Sequence, residues 1–319
     1  MLNFINPYYW AIKIRNSFYD KEIFKSYKLP VPVISVGNIS VGGSGKTSLI
    51  RYLCEKFSHQ FNIAVISRGY KRKSKGLKVI YHKGKLLENL ENSGDEPYFL
   101  GKIFKKKGLN LSIVVDENRY RAGKFAVEEL KANLILLDDG FQHRKIKRNI
   151  DLVLLKKEDL KEKILPFGRL REPFEALERA DALILTYQDC KPFDFSYKNK
   201  PVFKLFRKNW KILNAEFKKV SEEVKDKEFI AFCGLGDNQQ FIFSLKKLGI
   251  KIKKFLSFPD HYEYKNFKIK NNETYITTLK DGVKFPSYSN LYYLDFSIEV
   301  KGLESYLLEK LKNLYNTKF

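Results

Sequence analysis

Eight residues, Ser40-Val41-Gly42-Gly43-Ser44-Gly45-Lys46-Thr47, follow the aliphatic run Val33–Val36 and open the helical pattern Thr47–Lys56. A glycine-rich turn set between a strand and a helix is a P-loop arrangement, and it restricts the fold around it. Its glycines let successive backbone N–H groups point inward at the positive end of the next helix, which cradles phosphate oxygens. In such a loop Lys46 would bridge the β- and γ-phosphates of a nucleotide, and Thr47 would ligate Mg²⁺. The customary first glycine is replaced by Ser40, whereas the phosphate-holding half, Gly43 to Thr47, is intact.

The remaining aliphatic runs up to about Thr186 are Ile63–Ile66, Leu111–Val115, Leu134–Leu137, Leu152–Leu155 and Ala182–Leu185. Helical patterns lie between several of them, at Pro97–Lys106 and Arg119–Lys131. Near-continuous apolar strands alternating with helices read as a mostly parallel sheet covered on both faces, a doubly wound α/β core. The core is expected over residues 1–200. Charged, alternating segments at Val202–Phe206 and Trp210–Phe217 suggest a two-stranded connector over 201–228. A smaller α/β domain is expected over 229–319, with strands at Phe229–Cys233, Lys253–Phe258, Thr274–Leu279 and Leu291–Phe296. It carries a helix at Asn238–Leu248 and a final helix at Leu303–Leu314 that is free to pack back on the core.

A P-loop needs an acidic partner for its metal at the end of a neighbouring strand. Leu134-Ile135-Leu136-Leu137-Asp138-Asp139 supplies one: Asp138 to hold Mg²⁺, Asp139 to orient a neighbouring group. Two adjacent aspartates repel each other unless a cation and Lys46 offset the repulsion.

Sixty Lys and Arg against 37 Asp and Glu give a net charge of +23. Such a chain attracts polyanions such as acidic lipid, phosphorylated substrates or nucleic acid. The charge is dispersed, its densest run is Arg68-Gly69-Tyr70-Lys71-Arg72-Lys73-Ser74-Lys75, and no nucleic-acid-binding motif is present, so no nucleic-acid partner is expected. Cys54, Cys190 and Cys233 are odd in number and widely spaced, which fits a reducing compartment better than a disulfide framework or a zinc site. No signal peptide and no apolar stretch of about 18 residues is seen, so the chain is expected to be soluble or to lie on a membrane surface.

The stretches VGNISVGGSGKT, SRGYKRK, GDEP, DENRYRAG, LLDDGFQHR, LPFGRLREP and FPDHYEY, in this order over roughly residues 30–262, resemble the tetraacyldisaccharide 4′-kinases of lipid A biosynthesis. The first and fifth together are highly specific. The resemblance implies an enzyme on the cytoplasmic face of the bacterial inner membrane, peripheral to it. It would use ATP as co-substrate, with Mg²⁺, to phosphorylate the 4′-hydroxyl of an acylated glucosamine disaccharide 1-phosphate. It also implies that Asp95 accepts the hydroxyl proton and that His261 assists from the second domain, across a cleft. Glu96, Arg119, Gln142, His143, Arg171 and Glu172 become candidate positioning groups.

Read from the residues alone, Asp95 has a second reading as a helix N-cap, because Gly94-Asp95-Glu96-Pro97 precedes an apolar helical run. His261 has one as a turn residue. Phosphoryl transfer through a loose transition state needs positioning and neutralisation more than a strong base, so a carboxylate such as Asp95 suffices.

At the N-terminus, Phe4 to Phe24 place Ile5, Tyr8, Tyr9, Ile12, Tyr19 and Ile23 largely at helical spacing, among Lys13, Arg15 and Lys21. Rings beside basic side chains suit an anionic membrane surface, with Tyr8, Tyr9, Ile12, Lys13 and Arg15 as contacts. Packing of the same helix on the core is the alternative. A GTPase-type switch is the competing function, since Thr186-Tyr187-Gln188-Asp189 has the outer residues of a guanine-reading tetrad but lacks its lysine.

Overall fold

The computed structural model describes residues 6–220, 224 and 226–316; Phe4 and Ile5 lie outside them. It divides into two compact units. The first comprises the chain up to Phe206 together with Glu299 onward, and the second is Arg207–Ile298.

The first unit opens with α1 (Pro7–Asp20), whose N-cap Asn6 accepts hydrogen bonds from the Tyr8 and Tyr9 amides. Strands β1 (Val33–Asn38) and β2 (Ile63–Ser67) flank α2 (Lys46–Phe57) in sequence. A hairpin of β3 (Lys78–His82) and β4 (Lys85–Leu86) comes next, with the short helix α3 (Leu90–Ser93), then α4 (Asp95–Lys107). The core is completed by β5 (Ser112–Val115), α5 (Arg119–Glu128), β6 (Leu134–Asp138), β7 (Ile150–Leu155), β8 (Ala182–Leu185) and the start of β9 (Val202–Leu213). The order across the sheet is β9-β8-β7-β1-β6-β2-β5-β3-β4, parallel except for β3 and β4.

Strands β1, β2, β5, β6, β7 and β8 are buried along their whole length. That is why they read as near-continuous aliphatic runs. One face packs Leu29, Ala64, Ile66, Val114 and Ile135 against Ala122 and Ala126 of α5. Because β1 and β6 run side by side with Val36 opposite Asp138, the phosphate-type loop and the Asp138-Asp139 pair emerge at the same edge of the sheet.

The hairpin has no counterpart in the sequence reading. Its turn, Lys83-Gly84, has positive φ at both residues (43° and 85°), the tight turn that joins two antiparallel strands.

In the second unit, β10 (Lys219–Val220) pairs antiparallel with the end of β9. Strands β11 (Glu228–Cys233), β12 (Lys251–Ser257), β13 (Tyr275–Thr278) and β14 (Leu291–Val300) pair in the parallel order β12-β11-β13-β14. Helix α6 (Gln239–Lys247) buries Phe241 and Leu245 against Phe229, Ala231 and Ile276. A single turn of helix, α7 (Leu279–Gly282), follows β13.

The chain leaves the first unit through β9 and returns through β14. The two stretches expected as separate connector strands, Val202–Phe206 and Trp210–Phe217, fall largely in one strand, Val202–Leu213, which passes the division at Phe206 and pairs with the short β10. Shielding along it is intermittent, with Lys208 and Asn209 both exposed, and that exposed stretch looks like a break. The final helix α8 (Leu303–Asn316) belongs to the first unit, with Leu303, Leu307 and Leu311 buried and Tyr306 donating to the Asp181 carbonyl.

Candidate active site

The loop Ser40–Thr47 turns from β1 into α2 through Gly45, whose φ of 89° is left-handed and strained for any residue with a Cβ. The helix therefore starts at Lys46, and its unpaired first amides face the loop. Val41, Gly42 and Gly43 are exposed, while Ser44 is buried with no hydrogen-bond partner for its hydroxyl among the described residues. The segment Arg169–Glu172 braces the loop from behind: Val41 N–H donates to the Arg169 carbonyl and Arg171 N–H to the Ile39 carbonyl.

Lys46 extends from the helix start to Asp139, with Nζ 3.4 Å from Oδ1, and donates to Asn38 Oδ1 at 3.3 Å. Arg171 grips the same carboxylate with both terminal nitrogens, at 2.9 and 2.8 Å, and also reaches Asn38 Oδ1. Gln142 donates to the Asn38 carbonyl at 2.8 Å. Buried Arg119, the first residue of α5, donates to the Asp138 and Asp139 carbonyls and so fixes the turn after β6. Asn38 is the hub of this network and Ser67 a further member, and neither was singled out from sequence. A polar side chain ending a wholly buried strand immediately before the loop is the signal that marks Asn38.

The two aspartates are placed differently. Asp139 is pushed up by burial, but Lys46 and Arg171, then Arg119, pull its carboxyl well below the usual carboxylate range. Asp138 is pushed up to about 7 by burial, then by the neighbouring Glu96 and Asp139 charges, against the opposing pull of Lys46 and Arg119. One of its oxygens accepts from Ser67 Oγ at 3.1 Å, while Oδ1 is buried without a hydrogen-bond partner among the described residues. An ionised, half-satisfied carboxylate flanked by two others is costly unless a cation joins it. No group of three or more His, Cys, Asp and Glu among the described residues could hold a metal by itself. The Asp138 carboxylate, with Oδ1 left without a hydrogen-bond partner among the described residues, thus fits a hard cation that keeps waters and takes further oxygens from phosphate.

Asp95 and Glu96 form the first turn of α4. The N-cap is Gly94 and not Asp95, so the capping alternative for Asp95 does not hold. Gly94 sits at φ 81°, and a Cβ there would lie 2.7 Å from the Tyr70 carbonyl, which ties the GDEP turn to the SRGY turn after β2. The His143 ring is half-buried, and burial with nearby Arg119, Arg148 and Lys145 lowers its pKa to about 4, so it is neutral near pH 7.

Glu172 faces helix α1 and Arg179. It is fully buried and bound by Arg15 (3.3 Å), Asn16 (3.2 Å) and Arg179 (2.6 Å). That corrects part of the expected membrane face as well. Arg15 is turned inward to Glu172, the Tyr8 hydroxyl donates to the Arg171 carbonyl, and Tyr8 and Tyr9 pack against a core cluster around Phe141 and Leu170. Ile12 is half-buried and Lys13 exposed. The outward stripe consists instead of Trp10, Ile14 and Phe18, one helical turn apart, followed by Ile23 and Phe24. No helix among the described residues is long and apolar enough to cross a membrane.

In the second unit His261 lies in the loop after β12 with φ 58°, its Nε2 3.8 Å from Asp260 Oδ1. The tetrad-like Thr186 is buried with its hydroxyl bonded to the Leu155 carbonyl, and Gln188 accepts from the Phe193 amide. The Thr186 hydroxyl is thus engaged by the neighbouring strand, which disfavours a guanine-reading role for it.

The model of the tetraacyldisaccharide-1-P 4′-kinase family matches residues 2–312. The tetraacyldisaccharide 4′-kinase of Aquifex aeolicus is 48% identical over 98% of this chain and 96% of its own length. That of Desulfotalea psychrophila is 33% identical over 88% and 86%. A crystal structure of the "apo" form of LpxK from Aquifex aeolicus in complex with ATP superposes with a TM-score of 0.85 at 47% identity, covering 98% of this chain and 96% of that one. With a phosphate-type loop, an aspartate pair behind it and near-complete coverage by these relatives, the chain belongs to the tetraacyldisaccharide-1-P 4′-kinase family.

Proposed function

We propose that the protein transfers the γ-phosphoryl group of ATP to the 4′-hydroxyl of a tetraacylated glucosamine disaccharide 1-phosphate, the reaction its relatives are named for. The observation that carries this reading is the array at the carboxyl edge of the sheet. Lys46 stands between the loop and an Asp139 held ionised by Lys46 and Arg171, beside a buried Asp138 whose Oδ1 has no hydrogen-bond partner among the described residues.

In this mechanism the loop amides from Gly43 to Thr47 and Lys46 neutralise the β- and γ-phosphates. Asp139 and Asn38 hold the Lys46 ammonium in place, and Arg171 fixes Asp139 bidentately, so the cation is pre-positioned before the nucleotide arrives. Mg²⁺, held by Thr47 and Asp138, would supply further neutralisation of phosphate charge. Asp95, at the start of α4, takes the proton of the attacking hydroxyl, and His261 takes part in that proton transfer. Gln142 and Arg119 maintain the backbone of the loop and of the aspartate turn.

The acyl chains of the substrate require a membrane-facing enzyme. The exposed stripe Trp10, Ile14 and Phe18, with Lys13, Lys21 and Lys25 around it, supports a peripheral position on an anionic membrane surface. For an enzyme using ATP this is the cytoplasmic face of the inner membrane.

Purified protein, labelled ATP and a tetraacylated disaccharide 1-phosphate in detergent micelles test the proposal. Label should appear at the 4′ position with wild type and disappear with Lys46→Met. Label transferred equally well by Lys46→Met, or no transfer by wild type, would overturn it.

A further inference from the structure

His261 and Tyr264 both have φ of 58°, a left-handed conformation uncommon in non-glycine residues. The loop that carries them is pinned on both sides of His261. Before it, Phe258 N–H donates to the Cys233 carbonyl at 3.0 Å, and Asn238 Nδ2 donates to the Phe258 carbonyl at 2.8 Å. After it, Lys284 Nζ donates to the Tyr262 carbonyl at 2.9 Å.

Lys284 is unusual for a lysine. Its side chain is 3% exposed, it stands 3.3 Å from Asp281 Oδ1, and Asp281 itself is fully buried. The ammonium also lies 5.5 Å from the centre of the Tyr264 ring. The second oxygen of Asp281 accepts from Gly234 N–H at 3.0 Å and Thr278 Oγ1 at 2.9 Å. One carboxylate therefore ties the ends of β11 and β13 together and orients the lysine that holds the backbone next to His261. A buried ion pair contributes little to stability compared with apolar packing in the same volume, because both charges are desolvated. What this pair supplies is a directed donor that a hydrophobic side chain lacks.

We propose that Lys284, oriented by Asp281, is a positioning residue that fixes the His261 loop for phosphoryl transfer. The proposal rests on the reading of His261 as a participant in that transfer. Lys284 acts through the backbone of Tyr262 and touches no reacting atom.

The test uses the full chain with Lys284→Met. It also uses Asp281→Asn/Lys284→Met, which leaves no unpaired buried charge and keeps an acceptor for Gly234. Each is made in wild-type and His261→Ala backgrounds, with folding checked by thermal melting. The expected result is a fall in kcat of about tenfold to a hundredfold with KM for ATP unchanged. That fall should vanish in the His261→Ala background, a non-additivity that a purely structural defect would not produce. Wild-type kcat in the folded double variant, or the same fall in both backgrounds, would overturn the positioning role while leaving His261 in place. Full turnover by His261→Ala alone would instead remove the reading of His261, and the proposal with it.

Discussion

Replacing Asp138 by Asn is expected to stabilise the nucleotide-free protein while abolishing its activity. Burial and the Glu96 and Asp139 charges raise the Asp138 pKa from 3.8 to about 7. At about 1.36 kcal/mol per pH unit that rise corresponds to about 4 kcal/mol. Below pH 4 the carboxyl is neutral in the folded and unfolded chain alike. Between about 4 and 7 only the folded chain holds the proton, so stability falls as pH rises through this window, and above 7 the loss is complete. Asparagine keeps an acceptor for Ser67 Oγ and does not titrate. With local relaxation, its advantage at pH 8 should be about 1–2 kcal/mol, or several degrees in Tm. Melting both proteins at pH 5 and pH 8, without divalent cation or nucleotide, measures it. An Asn advantage that does not grow between pH 5 and pH 8 would refute the electrostatic account of this aspartate.

Three further outcomes follow from the same geometry. Lys46→Met should lower transfer of labelled phosphate by about 10²–10³-fold, because the cation held between Asp139 and the loop is lost. Glu172→Gln should cost about 3 kcal/mol in urea unfolding, since Arg15 and Arg179 lose the charge of their buried partner. It should also speed amide exchange in α1. Trp10→Ser/Ile14→Ser/Phe18→Ser should reduce partitioning onto anionic vesicles by about tenfold or more. Tyr8→Phe should leave it unchanged, because that hydroxyl faces the Arg171 carbonyl. Vesicle sedimentation separates the two.

The core strands were legible because each is buried on both faces, so aliphatic residues dominate it and only isolated polar ones such as Ser35 and Asp151 interrupt it. The loop and the aspartate pair were legible because strand, turn and helix are contiguous in sequence. Residues whose role depends on distant partners were harder to read. Glu172 sits beside Arg171 in LPFGRLREP, yet Arg171 turns to Asp139 whereas Glu172 turns to Arg15 and Asn16 of α1. Adjacent positions on an extended segment point to opposite sides, and a motif does not record which side is the site. Helix α1 carries rings on more than one face, so helical spacing alone did not separate Tyr8 and Tyr9, which pack inward, from Trp10, Ile14 and Phe18. The strand bounds within the connector were misread for a related reason: β9 is shielded only at intervals, and its exposed Lys208 and Asn209 imitate a break. Asn38 was overlooked because an asparagine inside VGNIS looks like an ordinary loop residue until Lys46, Arg171 and Gln142 converge on it.

The most direct test is a crystal structure with a non-hydrolysable ATP analogue and Mn²⁺, read by the anomalous signal of the metal. The triphosphate should lie against the amides of Gly43 to Thr47 with Lys46 on its terminal phosphates, and the anomalous peak should fall between Thr47 and Asp138. A nucleotide bound elsewhere, or a metal remote from Asp138, would contradict the account.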